Sequence, residues 1–188
     1  MDNEVTIESR VLDAADALFY AHGIQSVGMD RIRDVSGVPL KQIYRCFPSK
    51  GALIEAYLRR RDEWARTELE KRVAAQVGST ERVLAVFDWL YDWFDDPGFR
   101  GCAFLNAYGE LGAKSPGVAR VVREHKAVVR GYLGRLADET GASRADRLAD
   151  QLAVLVDGAM SAAAVTGTPA PARQARAAAE TLIGAAAP

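Results

Sequence analysis

Residues 10–58, RVLDAADALFYAHGIQSVGMDRIRDVSGVPLKQIYRCFPSKGALIEAYL, contain the pattern that decides the fold. Apolar residues recur there at helical spacing, and glycine or proline interrupts them after short runs. The pattern predicts three helices, over about residues 7–22, 29–36 and 39–47. Three short helices with Gly37 in the turn before the third are typical of a helix-turn-helix, in which the later helix enters the major groove of DNA.

The predicted helix ends carry ordinary capping signals. Thr6 precedes the first helix, where its hydroxyl can accept a hydrogen bond from the first turn, and Gly23 follows the last residue. Ser49 is in the same capping position before a long fourth helix, which we expect to end near Val77. Ser143 is predicted to cap the eighth helix in the same way.

The rest of the chain also has helical periodicity, and no segment alternates as a strand would. The predicted fold class is therefore all-α, with about nine helices and no internal repeat. The helices that follow the fourth are predicted over about 80–94, 102–111, 118–139, 144–165 and 172–185.

Composition indicates a globular protein. The chain has 188 residues, of which 49% are hydrophobic and 26% charged, and these values are ordinary for a folded domain. Acidic residues near the N-terminus do not match a secretory signal, and no uninterrupted apolar stretch approaches the length of a bilayer span, so we expect a cytoplasmic protein without a membrane partner. Cys46 and Cys102 lack metal-ligand spacing, which predicts two reduced thiols and no metal site. A redox-sensing role is the alternative for either thiol.

Charge is distributed unevenly along the chain. The formal net charge is −1, yet between Arg31 and Arg61 there are eight Lys and Arg residues and only two acids, Asp34 and Glu55. Because the local charge distribution governs electrostatic attraction, this segment can present a basic surface to a polyanion.

Three sequence segments resemble the DNA-binding domain of the tetracycline-repressor (TetR) family: VLDAADALFYAHG, the turn around Gly37 and Val38, and IYRCFPSKGALIEAY. The likeness is strong over roughly residues 10–58. It is looser afterwards, where GCAFLNAYGELGAKSPGV is similar to the start of the sensing half of several members.

The resemblance implies a domain division and a function. It implies a helix-turn-helix DNA-binding domain over 1–50 and a ligand-sensing and dimerisation domain over 51–188, with the fourth helix as connector. Such a protein is a ligand-responsive repressor without a cofactor, which releases a palindromic operator in double-stranded DNA when a small molecule binds. The resemblance also implies that Tyr44 and Lys50 touch the DNA backbone.

The residue pattern of the third helix independently predicts a surface that faces DNA. On a helix that starts near Pro39, Lys41, Gln42 and Arg45 fall on the exposed side, while Ile43 and Phe47 face inward. Lysine suits guanine and glutamine suits adenine in the major groove, so Lys41 and Gln42 are the candidates for base contacts. Taken without the family motif, Tyr44 is more readily interpreted as a core aromatic residue.

Four positions depart from the family pattern. Pro39 and Leu40 replace the usual small polar start of the recognition helix. Gly28 replaces the usual Ser or Thr before the second helix, so any phosphate contact there must come from its backbone N–H. Arg33 replaces a common alanine and is a candidate for a compensating phosphate contact.

The C-terminal half has aromatic and apolar residues suited to an effector that is itself largely apolar. Packing in the apolar core, without any ligand, remains the alternative for each of them, including His125. The candidate pocket residues are Trp64, Phe87, Leu90, Trp93, Phe94, Phe104, Tyr108, His125 and Val128.

A palindromic operator requires a two-fold homodimer whose recognition helices are separated by about 34–36 Å or a multiple of that distance. The last two helices are rich in small and apolar residues and are the candidates for a four-helix interface. The predicted interface residues are Leu152, Leu155, Val156, Ala159, Met160, Ala163 and Leu182.

Two other functions account for single features of the sequence. An enzyme that uses Cys102 as nucleophile and His125 as base lacks any accompanying catalytic motif, so no enzymatic activity is predicted. A dimerising adaptor whose helix-turn-helix no longer binds DNA is suggested by Gly28 and Pro39, and salt-dependent DNA binding would distinguish it from a repressor.

Overall fold

The computed structural model describes residues 6–187, which form nine α-helices and no strand. The predicted all-α class is therefore confirmed. The helices are α1 (Ile7–His22), α2 (Met29–Ser36), α3 (Leu40–Cys46), α4 (Lys50–Ala74), α5 (Ser79–Phe94), α6 (Ala103–Leu111), α7 (Pro116–Glu139), α8 (Ala145–Thr166) and α9 (Ala170–Ala186).

Local capping signals fix several helix ends as predicted. Thr6 Oγ1 accepts a hydrogen bond from the Ser9 amide at 3.1 Å, and Gly23, with φ of 82°, follows α1. Ser49 Oγ accepts from the Ala52 amide at 3.0 Å at the start of α4. These caps satisfy backbone N–H groups that have no partner inside the helix.

The prediction for Ser143 was wrong. The residue before α8 is Arg144, which makes no side-chain capping bond. Ser143 instead donates to the Ala186 carbonyl at the end of α9, from its amide at 2.9 Å and its hydroxyl at 3.3 Å. This contact spans 43 residues, so the local sequence pattern could not indicate it.

Contacts divide the chain into two compact units. Within the described residues, the first unit comprises 6–63 and 103–123, and the second comprises 64–102 and 124–187. Both α4 and α7 therefore continue from one unit into the other. The division into 1–50 and 51–188 is a functional one that remains a prediction.

The first unit has its core beneath the helix-turn-helix. Ile32 of α2 and Ile43 of α3 are fully buried, as are Val11 of α1 and Leu53 and Leu58 of α4. These positions are the inward residues of the helical pattern, so burial of apolar side chains fixes the faces of the short helices.

The second unit contains α5, α8 and α9, which pack against one another, together with the C-terminal parts of α4 and α7. By length and composition alone, α8 is apolar enough to cross a membrane. In the structure α8 packs against α5 and α9 and buries Leu148 and Leu152, and its Asp157 forms an ion pair with Lys126.

Burial distinguishes the residues predicted for the dimer interface. Leu152, Val156, Ala159, Met160 and Ala163 are buried inside the protomer, and their place in an interface stays a prediction. Leu155 and Leu182 are only partly buried. The exposed side of α8 instead carries Val154, Gly158, Ser161, Ala162 and Val165, with the two valines 72% and 89% exposed.

Candidate nucleic-acid interface

The turn between α2 and α3 has a specific backbone geometry. Gly37 has φ of 63° and ψ of 21°, a left-handed conformation that favours glycine, and its amide donates to the Arg33 carbonyl at 2.9 Å. The Val38 amide donates to Ser36 Oγ at 3.2 Å. Arg10 of α1 donates to the Ser36 carbonyl at 2.8 Å, so the turn is also tied to the first helix.

The two faces of α3 differ in the way the sequence predicts. Ile43 and Phe47 are buried, whereas Lys41, Gln42 and Arg45 are exposed. The burial of the apolar pair fixes the rotation of the helix and directs the polar residues to solvent.

Lys41 and Arg45 have no ion-pair or hydrogen-bond partner for their side chains within residues 6–187. Two uncompensated positive charges therefore lie on the outer surface of a helix preceded by a tight turn. Such a surface attracts phosphate groups and leaves the side chains available for base edges.

Tyr44 is 44% exposed, which excludes the core interpretation of this residue. Its hydroxyl lies on the same helix as Lys41 and Arg45. The contact of Tyr44 with the DNA backbone remains a prediction.

Lys50 is turned inward in this structure. Its ammonium donates to the Ile24 carbonyl at 2.7 Å and lies 5.9 Å from the centre of the Phe19 ring. Burial lowers the pKa of Lys50, and the nearby Glu110 carboxylate partly opposes that shift. A phosphate contact by Lys50 therefore requires this side chain to leave Ile24.

Arg33 is paired locally. Its guanidinium contacts Asp30 at 2.7 Å and Asp34 at 2.8 Å, and these two carboxylates, Asp34 chiefly, raise its pKa. Its charge is thus already compensated, which weakens the case for a phosphate contact. Gly28 precedes α2 in an extended conformation without a side-chain cap, so only its backbone can contact a phosphate.

Two arginines of α4, Arg60 and Arg61, form ion pairs with α1 within the first unit. Arg60 pairs with Asp13 at 2.8 Å and Arg61 with Asp16 at 2.9 Å. The Arg61 guanidinium also lies 3.7 Å from the centre of the Tyr20 ring. These contacts join α4 to α1. Part of the excess of basic residues between Arg31 and Arg61 is therefore used in contacts within the protein and not for DNA.

The structure does not gather the nine predicted pocket residues in one unit. Phe104 and Tyr108 belong to the first unit, and the other seven to the second. Phe87, Leu90 and Phe94 are buried core residues of the second unit, whereas Trp64 and Val128 are largely exposed. Trp93 and His125 are partly buried, and Trp93 packs edge-on against Phe99 at 5.6 Å between ring centres.

Three clefts in the described part of the second unit have volumes of about 200, 230 and 250 Å³. These volumes are below the range of about 300–1,000 Å³ that is usual for a small-molecule pocket.

No group of three or more His, Cys, Asp or Glu residues in 6–187 is arranged to hold a metal ion. Cys46 is exposed and Cys102 is buried, and both are free thiols.

Sequence reasoning missed Glu110 and Arg10. Both bind backbone groups of the DNA-binding helices, Glu110 at the turn after α1 and Arg10 at the turn after α2. Glu110 is the one charged residue of α6, which is its local signal in the sequence. Arg10 has no such signal, because α1 also contains Glu8, Asp13 and Asp16.

Family models match both halves of the chain. Residues 11–57 match the model described as bacterial regulatory proteins of the tetR family. Residues 79–179 match the model described as a tetracyclin repressor-like C-terminal domain. Together the two models cover the helix-turn-helix and most of the second unit.

Similar proteins agree with these matches. A TetR-family transcriptional regulator from Streptomyces coelicolor has a TM-score of 0.89 and 31% identity, covering 97% of this chain and 96% of its own. A TetR transcriptional regulator from Chloroflexus aurantiacus has a TM-score of 0.82 and 26% identity, covering 95% and 94%. An uncharacterized HTH-type transcriptional regulator of Mycobacterium tuberculosis is 28% identical over 125 residues, 66% of this chain. That match spans only 62% of the relative's length.

Proposed function

The chain belongs to the TetR family of bacterial regulatory proteins, and we propose that it regulates transcription in the cytoplasm by binding operator DNA through α3. Lys41 and Gln42 contact base edges, while Arg45, Tyr44 and the backbone at Gly28 contact phosphates. The observation that carries this proposal is the exposed face of α3, on which Lys41 and Arg45 have no partner in the described part of the chain.

The protein acts as a ligand-responsive repressor in this proposal. A small, largely apolar molecule binds the conformation of the second unit in which the recognition helices are wrongly spaced, and DNA affinity falls accordingly. The buried aromatic residues Phe87 and Phe94 and the partly buried Trp93 supply apolar surface for such an effector.

A homodimer supplies the two recognition helices that a palindrome needs. Its interface uses the exposed side of α8, where Val154 and Val165 flank small residues that allow close helix approach. Val154→Asp should therefore shift the protein from dimer to monomer in analytical ultracentrifugation. Thr67→Asp, on the surface of α4, is the control and should leave the dimer intact.

The enzymatic alternative receives no support from the geometry. Cys102 is buried, and neither Cys102 nor His125 lines any of the four described clefts. We therefore propose no catalytic residue.

DNA selection followed by a salt titration tests the proposed function. The wild-type protein should enrich a two-fold symmetric sequence from random duplexes, and its affinity should fall steeply with salt. In fluorescence anisotropy, Arg45→Ala should reduce the slope of log affinity against log salt by about 0.9 for each phosphate that Arg45 neutralises. Lys114→Ala, at an exposed lysine outside α3, should leave the slope unchanged. Failure to enrich any sequence would favour the adaptor over the regulator.

A further inference from the structure

Glu110, near the end of α6, binds the turn between α1 and α2. Its carboxylate accepts hydrogen bonds from the amides of Ile24 at 3.0 Å and Gln25 at 2.7 Å. The Gln25 side-chain amide donates back to the Glu110 carbonyl at 3.1 Å. Hydrogen bonds to a charged acceptor are stronger than those between neutral groups, so this is a firm attachment.

Lys50 binds the same turn from α4. Its ammonium donates to the Ile24 carbonyl at 2.7 Å, while Glu110 accepts from the amide of that residue. The backbone amide and the backbone carbonyl of Ile24 are thus both bound by charged side chains, which come from two other helices. The Ile24 side chain is buried, so the residue is fixed on its apolar side as well.

The backbone next to this contact is shaped for it. Gly23 has φ of 82°, and a Cβ at this position would lie 3.3 Å from Glu110 Oε1. A residue without a side chain therefore allows both the positive φ of the turn and the close approach of the carboxylate. We call Gly23, Ile24, Gln25, Lys50 and Glu110 the turn clamp.

We propose that Glu110 is a positioning residue that holds the α1–α2 turn, and with it the helix-turn-helix, in the arrangement that binds DNA. This inference rests on the proposed function. Residues 23–28 connect the two helices that support α3, so a loosened turn leaves the recognition helix without a fixed orientation.

A cleft of about 450 Å³ lies beside the turn clamp within the first unit, and Phe19, Tyr57 and Glu110 are among the residues that line it.

Amide hydrogen exchange of the full-length protein, followed by NMR, tests the clamp without DNA. In Glu110→Ala, exchange at Ile24 and Gln25 should be at least tenfold faster, while the Phe47 amide at the end of α3 should be unaffected. Glu110→Gln should lie between, because an amide oxygen accepts hydrogen bonds without the negative charge. Glu63→Ala removes the same charge from an exposed site on α4 and should change neither amide.

DNA affinity provides the functional half of the test. With the duplex that the wild-type protein selects, Glu110→Ala should bind about tenfold more weakly with an unchanged salt slope, because every phosphate contact is kept. Unchanged exchange at Ile24 and Gln25, exchange that rises equally throughout the first unit, or wild-type affinity in Glu110→Ala would each overturn the positioning role. If the wild-type protein selects no duplex, the proposed function itself fails, and the positioning role for DNA binding fails with it.

Discussion

The two units of the protein use their long-range charged contacts differently. In the first unit, Glu110 and Lys50 bind the backbone of the turn between α1 and α2, at Ile24. In the second unit, ion pairs such as Arg176–Asp88 and Lys126–Asp157 join one helix to another. Each unit also has an apolar core, and apolar packing supplies most of the stability. Glu110 and Lys50 of the first unit thus fix the geometry of a turn, whereas the ion pairs of the second unit join helices.

The largest expected effect comes from the core of the second unit. Leu152→Ala should lower the free energy of unfolding by about 2–5 kcal/mol, because it leaves a cavity at a fully buried position. Val154→Ala, two residues along the same helix and 72% exposed, is the matched comparison. Urea denaturation at two protein concentrations would measure both. A concentration-independent loss in Val154→Ala as large as that in Leu152→Ala would contradict the assigned faces of α8.

The next effect concerns the exposed face of α3 in the first unit. Lys41→Ala should reduce discrimination at one base position by about 1–3 kcal/mol, the value of a good base contact. Fluorescence anisotropy with single-base variants of the selected duplex would measure it. A uniform loss of affinity across all variants would instead assign Lys41 to a phosphate.

Lys50 distinguishes two roles in the same assay. As a member of the turn clamp, Lys50→Ala should weaken binding to all duplexes without changing the salt slope, because its ammonium binds Ile24. As a phosphate contact, implied by family resemblance, it should also lower the slope by about 0.9. The salt slope therefore distinguishes a Lys50 that binds the Ile24 carbonyl from a Lys50 that leaves it to contact a phosphate.

A smaller effect compares glycines at helix ends in the two units. Gly37 and Gly167 have φ of 63° and 68°, so alanine at either position should cost about 1–2 kcal/mol of stability. A Cβ at Gly37 would also lie 3.0 Å from the Arg10 guanidinium that binds the α2–α3 turn, whereas Gly167 has open space around it. Thermal unfolding should therefore show a larger loss for Gly37→Ala. Equal losses would mean that Arg10 moves aside without cost.

The smallest effect is a pH dependence in the first unit. Burial raises the pKa of Tyr57 well above its usual value near 10, so the folded state keeps a proton that the unfolded chain loses. This stabilisation is complete below pH 10 and is lost as the pH rises towards the folded pKa. Above pH 10, wild-type stability should fall relative to Tyr57→Phe in urea titrations. A difference between the two proteins that does not vary with pH would contradict this assignment.

Local signals in the sequence were enough to predict the helix-turn-helix. Thr6, Gly23, Gly37 and Ser49 end or begin helices through contacts within a few residues, which periodicity and capping rules describe. The faces of α3 were also predictable, because only one rotation of the helix buries Ile43 and Phe47 while it exposes their polar neighbours.

Contacts over long sequence distances were not predictable. Glu110 lies 86 residues from Ile24, and nothing near either residue indicates the other. On α8, apolar and small residues occur on both sides, so the pattern could not separate the core-facing residue Leu152 from the exposed Val154. The inward position of Lys50 was not predicted, because family resemblance implied a contact with the DNA backbone. In the structure its ammonium donates to the Ile24 carbonyl, and a backbone carbonyl leaves no signal in the sequence.

DNA cleavage from Cys46 tests the central claim most directly, since this thiol is exposed on α3 while Cys102 is buried. A cleavage reagent attached to Cys46 of otherwise wild-type protein should cut the selected duplex at two symmetric positions in the major groove, separated by about one helical turn or a multiple. Cys46→Ser protein treated in the same way should give no cuts. Scattered cuts, or none from a labelled protein that still binds the duplex, would show that α3 is not the helix that reads the DNA.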